Sequence, residues 1–86
     1  MKMALKVFTV YDSKSEHYGN PIFLLNKCEA LRSFADEAKN PESMIGKHSA
    51  DFTLFMIGEF DQATGTFKPL PAKENLGTAI ELKGLN

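Results

Sequence analysis

The segment 52–60 constrains the fold of this chain more than any other feature. Apolar side chains alternate along it, so it is predicted to form a β-strand. One face of this strand carries Phe52 and Phe60, and the other carries Phe55 and Ile57. Because both faces are apolar, we expect the strand to lie inside a sheet and to need covering from two sides.

The flanking segments supply further strands. Residues 2–11 alternate in the same way and predict a second well-covered strand, and the short apolar run 22–25 predicts a brief buried one. Residues 61–65 end in a glycine that suits the positive φ of a hairpin loop. The return strand after this turn contains Pro69 and Pro71, which exclude a central position and favour a sheet edge or an exit from the sheet.

The main helix is predicted over residues 27–39. Asn26 stands at the N-cap position with Glu29 three residues later, and Pro41 prevents the helix from continuing. An apolar stripe with helical spacing is formed by Leu31, Phe34, Ala35 and Ala38.

The order of these elements predicts one α+β domain spanning residues 1–86. We expect a mostly antiparallel sheet of three to four strands packed against one main helix, with a short helical turn near residues 74–80. A strand pattern in that tail, through Ile80 and Leu82, is the alternative. A domain of this size buries a small core. We therefore expect the second sheet face or an edge strand to meet another copy of the chain, with a dimer as the first expectation.

Composition excludes several classes of protein. Ten Lys and Arg residues stand against 11 Asp and Glu residues, so the net charge of −1 excludes a simple basic coat for nucleic acid. Cys28, His17 and His48 are too scattered for a metal site, and no nucleophile stands with a base, so we expect neither cofactor nor enzymatic activity. No run approaches the roughly 18 apolar residues of a membrane span. The single cysteine fits a reducing cytoplasm.

The aromatic residues are the candidates for binding. Single-strand binders present aromatic rings beside positive charge. Tyr11, Tyr18 and Phe67 stand at predicted strand ends or in loops, so we expect them to be exposed and able to stack on bases. Four other rings are expected in the core: Phe8, Phe52, Phe55 and Phe60.

Two strings of residues carry a resemblance to a known family. Residues 47–55 read K-H-x-x-D-F-x-L-F, and residues 57–65 read I-G-E-F-D-x-x-x-G. With further similarity over roughly residues 7–70, the chain resembles the small nonstructural protein of gokushoviruses, which are microviruses with circular single-stranded DNA genomes.

The resemblance implies a nonstructural DNA-binding protein of the bacterial host cytoplasm. Such proteins are likened to the small C protein of the coliphage branch, which acts when replication switches to making and packaging single-stranded genomes. The resemblance implies no catalytic residue. We expect single-stranded DNA as the partner, with Arg32, Lys47 and His48 as phosphate contacts beside the three exposed rings.

The balanced charge also fits a different function. The chain would then be an adaptor that contacts the replication initiator, the procapsid or a host factor without binding DNA itself.

Overall fold

The computed structural model describes residues 4–84. Within them the chain forms five strands and three helices. The strands are β1 (Ala4–Asp12), β2 (His17–Tyr18), β3 (Ile22–Leu24), β4 (Phe52–Asp61) and β5 (Thr66–Thr78). The helices are α1 (Lys27–Lys39), α2 (Met44–Lys47) and α3 (Ala79–Leu82).

All five strands join one antiparallel sheet in the order β2-β1-β4-β5. The short strand β3 also pairs with β1, so β2 and β3 follow each other along the same edge. The β4–β5 hairpin turns over residues 62–65, where Gly65 has a φ of +72°. The predicted hairpin is therefore present, with glycine in the backbone conformation that L side chains disfavour.

Irregular pairing bends the sheet. Ile57 is an extra residue of β4, because Val7 pairs with Gly58 while Phe8 pairs with Met56. On the other side of β4, residues 70–73 of β5 have no partner, and Leu76 is a further extra residue. Bulges increase the local twist of a strand pair. The sheet accordingly curls into a half-barrel.

The hydrophobic core lies on one face of this sheet, the core face, which carries Phe8, Leu54 and Met56. All three helices pack against it. They contribute the buried residues Ala30, Phe34, Ala35, Ala38, Ala79 and Leu82, with Ile45 of α2 partly buried beside them.

Helix α1 has the predicted bounds. Its N-cap is Asn26, whose side chain accepts a hydrogen bond from the backbone N–H of Glu29 at 2.9 Å. The bond satisfies one of the donors that the first turn of a helix leaves free.

The predicted fold class is wrong in its proportions. A sheet of three to four strands against one main helix was expected, but strands hold 46% of the described residues 4–84 and helices 26%, and the sheet is a curled half-barrel. Helix α1 makes its most extensive helix contacts with α3 and α2 and shares the core with them. The bulges explain this, because a strongly bent sheet leaves space beside a single straight helix, and α2 and α3 fill that space.

Two predictions of local structure are also wrong, the position of the C-terminal helix and the burial of β3. Strand β5 lies at the sheet edge as its prolines predict, yet it runs on past Pro71 to Thr78. The C-terminal helix is therefore Ala79–Leu82 and not a turn near residues 74–80. Strand β3, expected to be buried, is an exposed edge strand, because its pairing partner β1 lies on one side only.

Candidate functional site

The second face of the sheet carries most of the aromatic rings. Antiparallel partners point to the same side, so the pairing of β1 with its neighbours assigns the residues to faces. We call this second face the aromatic face and define it by its six rings: Tyr11, Tyr18, Phe23, Phe55, Phe60 and Phe67. No helix among residues 4–84 packs on it, since all three contribute to the core on the opposite side.

Three rings form a first group where β2, β1 and β4 lie side by side. The ring centroids of Tyr11 and Tyr18 are 4.6 Å apart. Tyr18 also meets Phe55 edge to face, with centroids 5.9 Å apart. These separations fall in the range of attractive aromatic pairs, so the contacts stabilise this arrangement of the rings.

The other rings form a second group toward the start of β1. Phe23 of the edge strand meets Phe60 of β4 edge to face, with centroids 5.7 Å apart. The ring of Phe67 lies over Gly58, where an added Cβ would come within 2.8 Å of a Phe67 ring carbon. Gly58 therefore permits the close approach that brings Phe67 onto this face.

Three of the six rings keep a large open surface. Tyr18 is 48% exposed, Phe23 is 44% exposed and Phe67 is 45% exposed. Between the groups, Val7 and Thr9 are buried, and the Thr9 hydroxyl donates to the Gly19 carbonyl oxygen at 2.8 Å. The face thus has a dry, hydrogen-bonded centre and open rings around it.

Acidic residues of the paired strands are kept off the aromatic face. Their pairing assigns them all to the core face: Asp12, Glu59, Asp61 and Glu74. Two are held there by ion pairs, Lys6 with Glu59 at 3.4 Å and Lys27 with Glu74 at 2.8 Å. Where these paired strands form the aromatic face, they therefore carry no carboxylate that would repel an anion.

Among residues 4–84, Lys73 brings a positive charge to the aromatic face. The Nζ atom of Lys73, from the unpaired stretch of β5, lies 5.5 Å from the centroid of the Tyr18 ring. A cation at this distance is attracted to the negative face of the ring. The exposed ring of the first group is thus accompanied by a positive charge.

The predicted site residues fall into two separate sets. Tyr11, Tyr18 and Phe67 lie on the aromatic face. The other three candidates are exposed on the helical side of the sheet: Arg32 on α1, Lys47 at the end of α2 and His48 at its C-cap. The structure does not bring the two sets together.

Sequence reasoning missed four residues of this face. Phe55 and Phe60 were expected in the core, whereas Phe23 and Lys73 were not singled out. For Phe60 the cause is the extra residue Ile57, which moves every later side chain of β4 to the opposite face.

Other kinds of site are not seen in the described part of the chain. Residues 4–84 contain no group of three His, Cys, Asp or Glu side chains placed to hold a metal ion. Within the same residues, no helix is both long and apolar enough to cross a membrane.

The fold and the site together define a small antiparallel half-barrel protein with helices on one face and open aromatic rings on the other. The chain belongs to the phage ORF5 protein family, which matches residues 5–82. It is therefore a small bacteriophage protein. No curated protein and no solved structure matches it.

Proposed function

We propose that this phage protein binds single-stranded DNA on its aromatic face and acts in genome replication or packaging, as a nonstructural protein of gokushovirus type. One observation carries the proposal. The open rings share a face with the Lys73 ammonium group, while the carboxylates of the paired strands lie on the other face. A net charge of −1 is compatible with binding an anion when the negative charges are segregated in this way.

The geometry favours unpaired bases over a duplex. Each base has a π-face that can stack on an aromatic side chain, but in a duplex these faces are hidden in the base stack. The open surfaces of Tyr18, Phe23 and Phe67 suit bases that have left the stack. Stacking on rings tolerates any sequence, so we expect little sequence preference.

The phosphate contribution is small for a single copy. Within residues 4–84, Lys73 is the cation that lies against a ring of this face, so we expect few phosphates to be neutralised by each subunit. We propose that the protein acts as a homo-oligomer, with several copies bound to one DNA strand, since linked sites raise the overall affinity. Binding should then weaken with salt, with a logarithmic slope of about −0.7 for each phosphate neutralised.

Fluorescence anisotropy with labelled oligothymidine at low salt tests the proposal. We expect saturable binding to the single strand and at least ten-fold weaker binding to a duplex. The Tyr18→Ala and Phe23→Ala variants should each weaken binding by about 1–3 kcal/mol, the usual contribution of one base–aromatic stack. Ile80→Ala is the matched control, because Ile80 is 50% exposed but belongs to α3 on the other side.

A pair of lysine variants separates the two sets of predicted contacts. Lys73→Gln should weaken oligothymidine binding and make the salt slope shallower by about 0.7, while Lys47→Gln should leave both unchanged. The reverse result would move the phosphate contacts to the helical side. Absence of binding at tens of micromolar protein would remove the function itself.

A further inference from the structure

A second candidate site lies on the opposite side of the sheet, between the edge strand β3 and helix α1. It is a pocket of about 190 Å³ that reaches into the core. Its floor includes the buried side chains Phe8, Phe34 and Leu54. The exposed lining residues, which mark its mouth, are Ile22, Ser33 and Glu37.

The size and lining of the pocket suit one bulky apolar group. Apolar cavities of roughly 150 Å³ in protein cores stay dry and accept benzene. At about 190 Å³, this pocket is large enough for a phenyl ring. Ile22 is 45% exposed beside it. An inserted ring would therefore remove apolar surface of both partners from water.

Among the residues that line the pocket, Glu37 at the mouth is the charged one. Ser33 and Glu37 are four residues apart on α1, so they lie on the same face of the helix. No described ion pair involves the Glu37 carboxylate, although its backbone carbonyl accepts hydrogen bonds from Ser43 and Asn40. Because Glu37 is exposed, an ion pair with it contributes modestly, and its main effect is to favour a cation over an anion beside the pocket.

We propose that this pocket binds a segment of a partner protein that inserts a phenylalanine-sized side chain and places an adjacent Lys or Arg against Glu37. The apolar volume selects the inserted side chain, and the carboxylate selects the sign of its neighbour. The site lies on the core side of the sheet, away from the aromatic face. Binding there leaves the rings of Tyr18 and Phe67 open.

Three acetylated and amidated tetrapeptides test the proposal by NMR titration of the whole chain: Gly-Phe-Arg-Gly, Gly-Phe-Glu-Gly and Gly-Ala-Arg-Gly. We expect the Phe-Arg peptide to shift the signals of Val10, Ile45 and Leu54, which line the pocket. It should bind about five-fold more tightly than the Phe-Glu peptide, the effect of one partly exposed ion pair. The Ala-Arg peptide should not saturate.

Two variants tie the effect to the pocket. Glu37→Gln should abolish the preference for Phe-Arg over Phe-Glu and retain binding of both. Ser33→Phe, at an exposed position of the mouth, should block the pocket and abolish binding of both Phe peptides. Each variant should bind oligothymidine as the wild-type chain does, so failure of the proposed DNA binding and failure of this site are distinguishable.

Three results would overturn the proposal. The first is equal binding of the Phe-Arg and Phe-Glu peptides to the wild-type chain. The second is binding of the Ala-Arg peptide as tight as that of the Phe-Arg peptide. The third is a set of shifts confined to the aromatic face, at residues such as Tyr18 and Phe23. If Ser33→Phe does not fold, the comparison of wild type with Glu37→Gln decides alone.

Discussion

At the scale of single residues, Gly58 controls how close β5 comes to the centre of the aromatic face. A Cβ atom at this position would lie 2.6 Å from the backbone oxygen of Lys68 and 2.8 Å from the Phe67 ring. The backbone oxygen belongs to a paired strand and has little freedom to move. The absence of a side chain is therefore a steric requirement here.

Gly58→Ala should destabilise the protein. Inserting one methyl group into a packed site typically costs about 1–3 kcal/mol, and here it also displaces Phe67. Urea unfolding followed by circular dichroism measures the loss. Gly19→Ala is the control, because its Cβ would meet only the Val10 oxygen at 3.6 Å. Equal unfolding free energies for the two variants would contradict the steric argument.

The residue scale also shows where sequence patterns stop being informative. The side chains of β1 alternate as expected, so Val7 and Tyr11 lie on the same face of the sheet. Phe60 was placed on the wrong side because periodicity assumes an uninterrupted strand, and nothing in the composition of residues 52–60 marks Ile57 as unpaired. The same extra residue places Glu59 on the core face.

At the scale of elements, the helix caps were easier to predict than the sheet. Asn26 caps the start of α1 by a local hydrogen bond, and the backbone geometry of Pro41 prevents the helix from continuing. Both signals can be read directly from the sequence. The length of β5 depends on its partner β4, which supplies hydrogen bonds beyond the prolines, and that long-range pairing cannot be derived from local preference.

Helix α3 begins with a capping box. The Thr78 hydroxyl accepts from the backbone N–H of Glu81, and the Glu81 carboxylate accepts from the backbone N–H of Thr78 at 2.9 Å. Hydrogen bonding to the Thr78 backbone, followed by its hydroxyl, lowers the pKa of Glu81 below the ordinary value of 4.5. The charged form is thus favoured in the folded state.

This lowered pKa predicts a pH dependence of folding. The stabilisation is complete above the unfolded pKa of 4.5 and is lost as the pH falls through the lower folded pKa. Glu81→Gln preserves a capping-box residue without the charge. Thermal melts of the variant should therefore show a smaller loss of stability below pH 4.5 than those of the wild type. Parallel losses in the two proteins would contradict the role of Glu81.

At the scale of the whole molecule, the two faces of the sheet carry different chemistry. The core face holds the helices and the strand carboxylates, while the aromatic face holds open rings and the Lys73 cation. Each copy brings little positive charge to a bound DNA strand. If the proposed function is right, the affinity therefore depends on the number of protein copies that one DNA strand accommodates.

A length series of oligothymidines checks this dependence. Apparent affinity should rise with length once a strand is long enough for a second copy, and light scattering should show complexes with two or more chains per strand. Tyr18→Ala should weaken binding at every length. A constant affinity, with one chain on strands of all lengths, would show that each copy acts alone.

The extra residue Ile57 has a consequence for how this chain tolerates insertions and deletions. Removing it would restore strict alternation along β4, turning Phe60 inward toward the helices and bringing Glu59 out among the rings. The composition would hardly change, but a negative charge would sit in the middle of the stacking surface. The number of residues in one strand, more than the identity of any residue on it, thus decides which face of the sheet carries the Glu59 carboxylate.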